Sequence, residues 1–116
     1  METIRESFCP VEETARIIGG KWTLLIIRDL ATGTKRFTVL ERSLGGISPK
    51  TLAERLRGLE RDGVIRRASY AEVPLRVEYS LTAKGRALIP VIEAMRAYGS
   101  EWLSDACPPV DALRQA

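Results

Sequence analysis

Ser48-Pro49-Lys50-Thr51-Leu52-Ala53-Glu54-Arg55-Leu56-Arg57-Gly58-Leu59-Glu60-Arg61-Asp62-Gly63 is the stretch on which the fold turns. A hydroxyl residue followed by proline marks a helix start, because Ser48 can cap free N–H groups and Pro49 has no backbone hydrogen bond to lose in a first turn. Leu52, Ala53, Leu56 and Leu59 recur at helical spacing as one apolar stripe, and Gly63 stops the helix. At about 100° per residue, burying that stripe leaves Lys50, Thr51, Glu54, Arg55, Arg57 and Gly58 on or beside the outward face.

Working upstream, Gly45-Gly46 ends a short helix that opens at Arg36-Phe37 and carries Phe37, Leu40 and Leu44 inward, so two helices flank a turn of about four residues. Lys21 to about Ala31 forms a core helix through Trp22, Leu25, Ile26 and Leu30. Gly19-Gly20 separates it from a first helix that begins at Cys9-Pro10-Val11-Glu12-Glu13 and runs to about Ile18.

Downstream, Val64-Ile65-Arg66-Arg67-Ala68-Ser69-Tyr70 is β-branched and basic, while Leu75, Val77, Tyr79 and Leu81 alternate with Arg76, Glu78 and Ser80. The spacing predicts a hairpin with one buried face and a projecting tip at about Ala71-Glu72-Val73-Pro74. Thr82 caps a final helix starting at Ala83, in which Pro90 predicts a kink. Its stripe of Leu88, Ile89, Ile92, Met95, Tyr98 and Trp102 exceeds what a small core covers, so a partner helix is its natural cover. Aromatic anchors favour interfaces, which assigns Tyr98 and Trp102 to a subunit contact. Trp22, Tyr70 and Tyr79 suit plain core positions better than an aromatic ligand pocket. The chain reads as one unit of 116 residues, with its core from about residue 9 to 103 and a frayed tail from about residue 106.

Composition narrows the function. No histidine is present, which removes the usual general base and the commonest transition-metal ligand. Two cysteines cannot complete a four-ligand zinc site, and no Gly-rich phosphate loop appears. No cofactor or metal is expected, and an enzyme reading has little chemistry to stand on. No apolar run approaches the roughly 18 residues that cross a bilayer, and the acidic start lacks the layout of a signal peptide, so a cytoplasmic protein is expected.

The net charge is +3, but residues 34–86 hold twelve basic against six acidic residues, while the flanks hold six against nine. Positive charge is therefore focused on the segment containing the helix pair and the hairpin, as a polyanion-binding surface requires. Helix, helix, helix-turn-helix, hairpin, helix is the order of a winged helix-turn-helix: mainly α with a small β-hairpin. In that arrangement the helix after the turn enters the DNA major groove. Ser48, Pro49, Lys50 and Thr51 lie at the end that reaches base edges or phosphates, and Arg55 is the first choice for a base contact with Arg57 beside it. The competing reading has Arg55 and Arg57 pairing with Glu54 or Glu60 on the surface. Lys35, Arg36, Arg66, Arg67 and Arg76 suit backbone clamps that position without specifying.

These residues also resemble a known family. Cys9-Pro10-Val11, Gly19-Gly20-Lys21-Trp22, Arg36-Phe37, Ile47-Ser48-Pro49-Lys50-Thr51-Leu52, Leu56-Arg57-Gly58-Leu59-Glu60, Gly63-Val64-Ile65 and Tyr79-Ser80-Leu81-Thr82-Ala83-Lys84-Gly85 look like the HxlR-type branch of the MarR-like winged-helix regulators. The resemblance implies a transcriptional regulator: a homodimer joined through its N- and C-terminal helices on a palindromic promoter site of double-stranded DNA. It also implies a small-molecule, oxidant or other electrophile effector, sensed through a cysteine at the position of Cys9. A helix N-terminus favours an anion there, whereas Glu12 and Glu13 oppose one, so a sensing role and a plain packing role both stay open. Cys107 departs from the family motif, and a bridge to Cys9 needs Cα atoms within about 7 Å. The alternative to DNA binding is a winged-helix module that docks an acidic protein partner.

Overall fold

The computed structural model describes residues 8–103, so Cys107 and the expected frayed tail lie outside the described residues. The elements are α1 (Pro10–Ile18), α2 (Lys21–Leu30), β1 (Lys35–Arg36), α3 (Phe37–Ser43), α4 (Pro49–Arg61), β2 (Ile65–Tyr70), β3 (Arg76–Leu81), α5 (Ala83–Arg86) and α6 (Ile89–Trp102). This is a winged helix-turn-helix. Among the described residues no helix is long and apolar enough to cross a membrane.

α2 is the central post, packing on α4 and on α6, with Ile26 and Ile27 fully buried. Leu40 and Leu44 of the α3 segment, Leu52, Leu56 and Leu59 of α4, and Ile92 of α6 close around it. Burying one such side chain is worth about 1.5–3 kcal/mol, so the leucine stripe fixes how α4 sits. The expected stripe on α2 holds at Ile26 and Leu30, whereas Trp22 and Leu25 are half-buried. Sequence periodicity passed over Asp29, which is buried. Its carboxylate accepts from Arg28 Nε at 3.2 Å, Arg28 Nη2 at 3.1 Å and Ser43 Oγ at 2.6 Å. A buried charge is tolerable when paired this fully, and the Ser43 bond ties α3 to α2.

Three expectations are corrected. The sheet has three strands, not two: β1 pairs antiparallel with β3 through Lys35↔Tyr79 and Arg36↔Glu78, giving the order β1-β3-β2. A two-residue strand is too short to show alternation. The last helix is not kinked within one rod but divided, because residues 87–88 intervene and Pro90 falls in the first turn of α6, where its missing N–H costs nothing. On the wing, Val77, Tyr79 and Leu81 turn inward as expected, but Leu75 precedes β3 and is exposed, and Tyr70 is exposed at the tip rather than in the core.

The end of α4 is locked to the wing. Gly63 adopts φ 77°, the left-handed turn that glycine accepts without a Cβ penalty. Its N–H reaches Glu60 O at 3.0 Å and that of Val64 reaches Leu59 O at 2.9 Å, the paired bonds of a Schellman stop. Thr82 Oγ1 donates to Gly63 O at 2.5 Å and accepts from Gly85 N at 3.1 Å, while Lys84 Nζ donates to Asp62 O at 2.7 Å. The Leu81-Thr82-Ala83-Lys84-Gly85 run is thus a structural stitch.

Candidate nucleic-acid interface

The N-terminus of α4 is built by its own sequence. Ser48 Oγ accepts from Thr51 N at 3.1 Å and donates to Thr51 Oγ1 at 2.9 Å, which caps the helix and aligns both hydroxyls at its exposed tip. Pro49 and Lys50 beside them are exposed. With Leu52, Leu56 and Leu59 buried, Lys50, Glu54, Arg57 and Arg61 stand opposite the leucine stripe and are exposed. Arg61 was not singled out by sequence, although the helical period that finds Arg57 also finds it. Arg55 is exposed but lies three residues after Leu52 and four before Leu59, at the border of the stripe, on the flank turned toward α1 and α2. Among the described residues Lys50, Arg55, Arg57 and Arg61 make no ion pair, so the expected competition from Glu54 and Glu60 is not seen.

The opposite flank of α4 faces the wing. Ala53, Leu56, Arg57 and Glu60 share a groove with Arg67 and Tyr79, so a guanidinium of the helix and one of β2 border the same depression. Arg66 and Arg67 are exposed, and neither makes an ion pair among the described residues. Arg76 differs. Its Nη2 lies 3.2 Å from Glu72 Oε2, its Nε 3.5 Å from Glu78 Oε2, and its guanidinium 4.1 Å from the centre of the Tyr70 ring. Two carboxylates neutralise it, so its place is that of a brace inside the wing, in contrast to the clamp expected from sequence. Lys35 Nζ donates to Thr32 Oγ1 at 2.7 Å and Gly33 O at 3.4 Å, which fastens the turn before β1, while Arg36 stands at the N-cap position of α3 with its side chain exposed and making no capping bond.

α6 exposes Met95, Tyr98 (61%) and Trp102 (68%) on one face, and Phe8 and Val11 are exposed at the start of α1. Cys9 is the N-cap of α1, half-buried, with Sγ accepting from Glu12 N at 3.5 Å. Among the described residues no group of three or more His, Cys, Asp or Glu side chains is placed to hold a metal.

Residues 17–107 match the HxlR-like helix-turn-helix family. The HTH-type transcriptional regulator sll1512 of Synechocystis is 47% identical over 95 residues, spanning 82% of this chain and 70% of its own length. Among solved structures, the redox regulator HypR in its reduced form matches with a TM-score of 0.79 at 37% identity, covering 93% of this chain and 100% of that one. The reduced form of the transcriptional regulator YodB from Bacillus subtilis matches with a TM-score of 0.71 at 40% identity, covering 82% and 94%. A capped helix with its cationic side open, a basic wing and these relatives converge, and the chain belongs to the HxlR-like helix-turn-helix family of transcriptional regulators.

Proposed function

We propose that the chain acts in the cytoplasm as a homodimeric, sequence-specific regulator that inserts α4 into the major groove of double-stranded DNA. The observation that carries this reading is the row Lys50, Arg57 and Arg61, exposed and unpaired opposite the buried leucine stripe and continued by Arg67 across one groove. The major groove, about 12 Å wide, admits one helix. Ser48, Pro49, Lys50 and Thr51 lead it in, Arg57 and Arg55 reach base edges, and Arg36, Arg66 and Arg67 grip phosphates on either side. Lys35 and Arg76 support this surface by fixing the turn and the wing.

The apolar face of Met95, Tyr98 and Trp102 is assigned to the subunit contact, with Phe8 and Val11 joining from the other terminus. Two copies related by a twofold axis present two α4 helices, which suits a palindromic site with half-sites about 34–36 Å apart. Cys9 is the residue through which oxidants or electrophiles act, a reading supported by its place at the start of α1 and by similarity to the redox regulator HypR.

Fluorescence anisotropy with a duplex selected from a random pool, repeated over a series of salt concentrations, tests the reading. Affinity is expected to fall linearly in log–log form, with a slope of about −0.9 per phosphate neutralised. Absence of binding to any duplex in dilute buffer would reject it in favour of a module that docks an acidic protein.

A further inference from the structure

The outward side of α4 carries one residue that a surface built only to attract phosphates would lack. Glu54 is exposed opposite the buried leucines, with Lys50 four residues before it and Arg57 three after. At about 100° per residue it stands roughly 40° from Lys50 and 60° from Arg57 around the helix axis, and it lies between them along that axis. Any approach that brings Lys50 and Arg57 against a duplex therefore brings the Glu54 carboxylate there too.

Two features leave this carboxylate available. Among the described residues Glu54 makes no hydrogen bond and no ion pair, although Lys50 and Arg57 sit at spacings where such pairs form. The position four residues on, where a cation pairs best with a preceding glutamate, is Gly58, which has no side chain to offer. An added Cβ at Gly58 would meet Arg61 Nη2 at an ordinary 3.6 Å, so packing does not require the glycine. Its effect is to leave the surface low beside Glu54, where another molecule can come close.

The groups that such a carboxylate can meet in a duplex are few. Phosphates repel it, and so do the acceptors of the major groove: N7 and O6 of guanine, N7 of adenine and O4 of thymine. The donors there are the amines of cytosine and adenine, and only that of cytosine comes without a neighbouring N7 acceptor on the same base. A carboxylate stripped of water without a donor weakens binding, whereas one that meets an amine gains a charge-assisted hydrogen bond.

We propose that Glu54 is a specificity-determining residue, accepting a hydrogen bond from the N4 amine of a cytosine and rejecting other bases at that position by the charge it would leave unpaired. The inference rests on the DNA-binding reading and deepens it: Lys50 and Arg57 supply attraction on either side, and Glu54 turns part of that attraction into selection.

Competition measured by anisotropy tests it, with the duplex selected by the wild type, its single-base changes, and versions carrying N4-methylcytosine at one position at a time. In a paired cytosine the added methyl occupies the major-groove side of the amine and removes that donor. At one cytosine the wild type is expected to lose about tenfold in affinity on base change or N4-methylation, and Glu54→Ala under twofold. Glu54→Ala should also bind random duplex about two- to fivefold more tightly, because a negative charge has left a surface that faces phosphates. Its thermal midpoint should match that of the wild type, since the side chain makes no contact that holds the fold. N4-methylation costs that are equal in the two proteins at every cytosine overturn the inference, even if random duplex is bound more tightly. A loss of preference confined to the base pair lost in Arg57→Ala also overturns it, by making Glu54 a positioning residue for that arginine. Failure of both proteins to bind any duplex rejects the DNA reading and this inference with it, whereas binding whose cytosine preferences are indifferent to position 54 rejects the role of Glu54 alone.

Discussion

Arg57 and Arg67 border one groove, yet they are asked to do different things. Arg57 projects from the helix proposed to enter the major groove, where a bidentate arginine contact discriminates by about 1–3 kcal/mol. Arg57→Ala should lower affinity for the selected duplex by roughly tenfold to a hundredfold and relax preference at one base position, whereas Arg67→Ala should weaken all duplexes alike and reduce the salt slope by about one. Competitive binding to duplexes carrying single-base changes separates the two outcomes. Cys9 makes its own prediction. Diamide takes up the two electrons and two protons released as Cys9 and a second thiol join in a disulfide, so treated protein should lose duplex affinity and Cys9→Ser should not. Coincident binding curves for treated and untreated wild type would remove the sensing role. The position of Arg55 is instructive here: a count of 100° per residue placed it beside the outward face, but its distance from Leu52 and Leu59 puts it at the stripe's border.

At the scale of elements, α5 matters more than its four residues suggest. An added Cβ at Gly85 would lie 2.1 Å from Val64 O, and a backbone carbonyl cannot swing aside as a long side chain can. Gly85→Ala is expected to cost about 1–3 kcal/mol, or to prevent folding, measured as a lower urea midpoint. An unchanged midpoint would mean that α5 is not seated on the strand in solution. Elements with a strong period were legible from sequence: α4 by its cap and leucines, α2 by its apolar stripe, the wing by alternation. β1 was not, since pairing with β3 depends on where the chain returns rather than on anything in Lys35-Arg36 alone. The division of the last helix was visible as Pro90 but misread as a kink, because the same residue serves as a first-turn proline once residues 87–88 leave the helix. Asp29 escaped notice because its partners, Arg28 and Ser43, are brought together by the packing of α3 on α2.

For the whole molecule, α4 and the wing carry the exposed cations, α6 and the start of α1 carry exposed hydrophobics with few cations beside them, and the wing tip adds Tyr70, Val73 and Leu75. Trp102→Ala removes the largest exposed aromatic of α6, and truncating an anchor of this kind typically costs 2 kcal/mol or more, about thirtyfold in dimer affinity. Sedimentation velocity across a dilution series should show the variant dissociating at higher concentration than the wild type; identical profiles would relocate the subunit contact. Of the candidate site, sequence supplied the residue types and the outward side of α4. It could not tell which charges are spent internally, and so placed Arg76 with Arg66 and Arg67, although Glu72, Glu78 and Tyr70 hold it within the wing.

The bonds from Thr82 and Lys84 to the carbonyls at the end of α4 do more than finish a helix. They solder the base of the helix to the base of the wing, so that Arg57 and Arg67 border a jaw fastened at one end. A rod presented to such a jaw must match its opening or bend to do so, and stiffness along the rod then becomes a quantity the protein can measure without touching it.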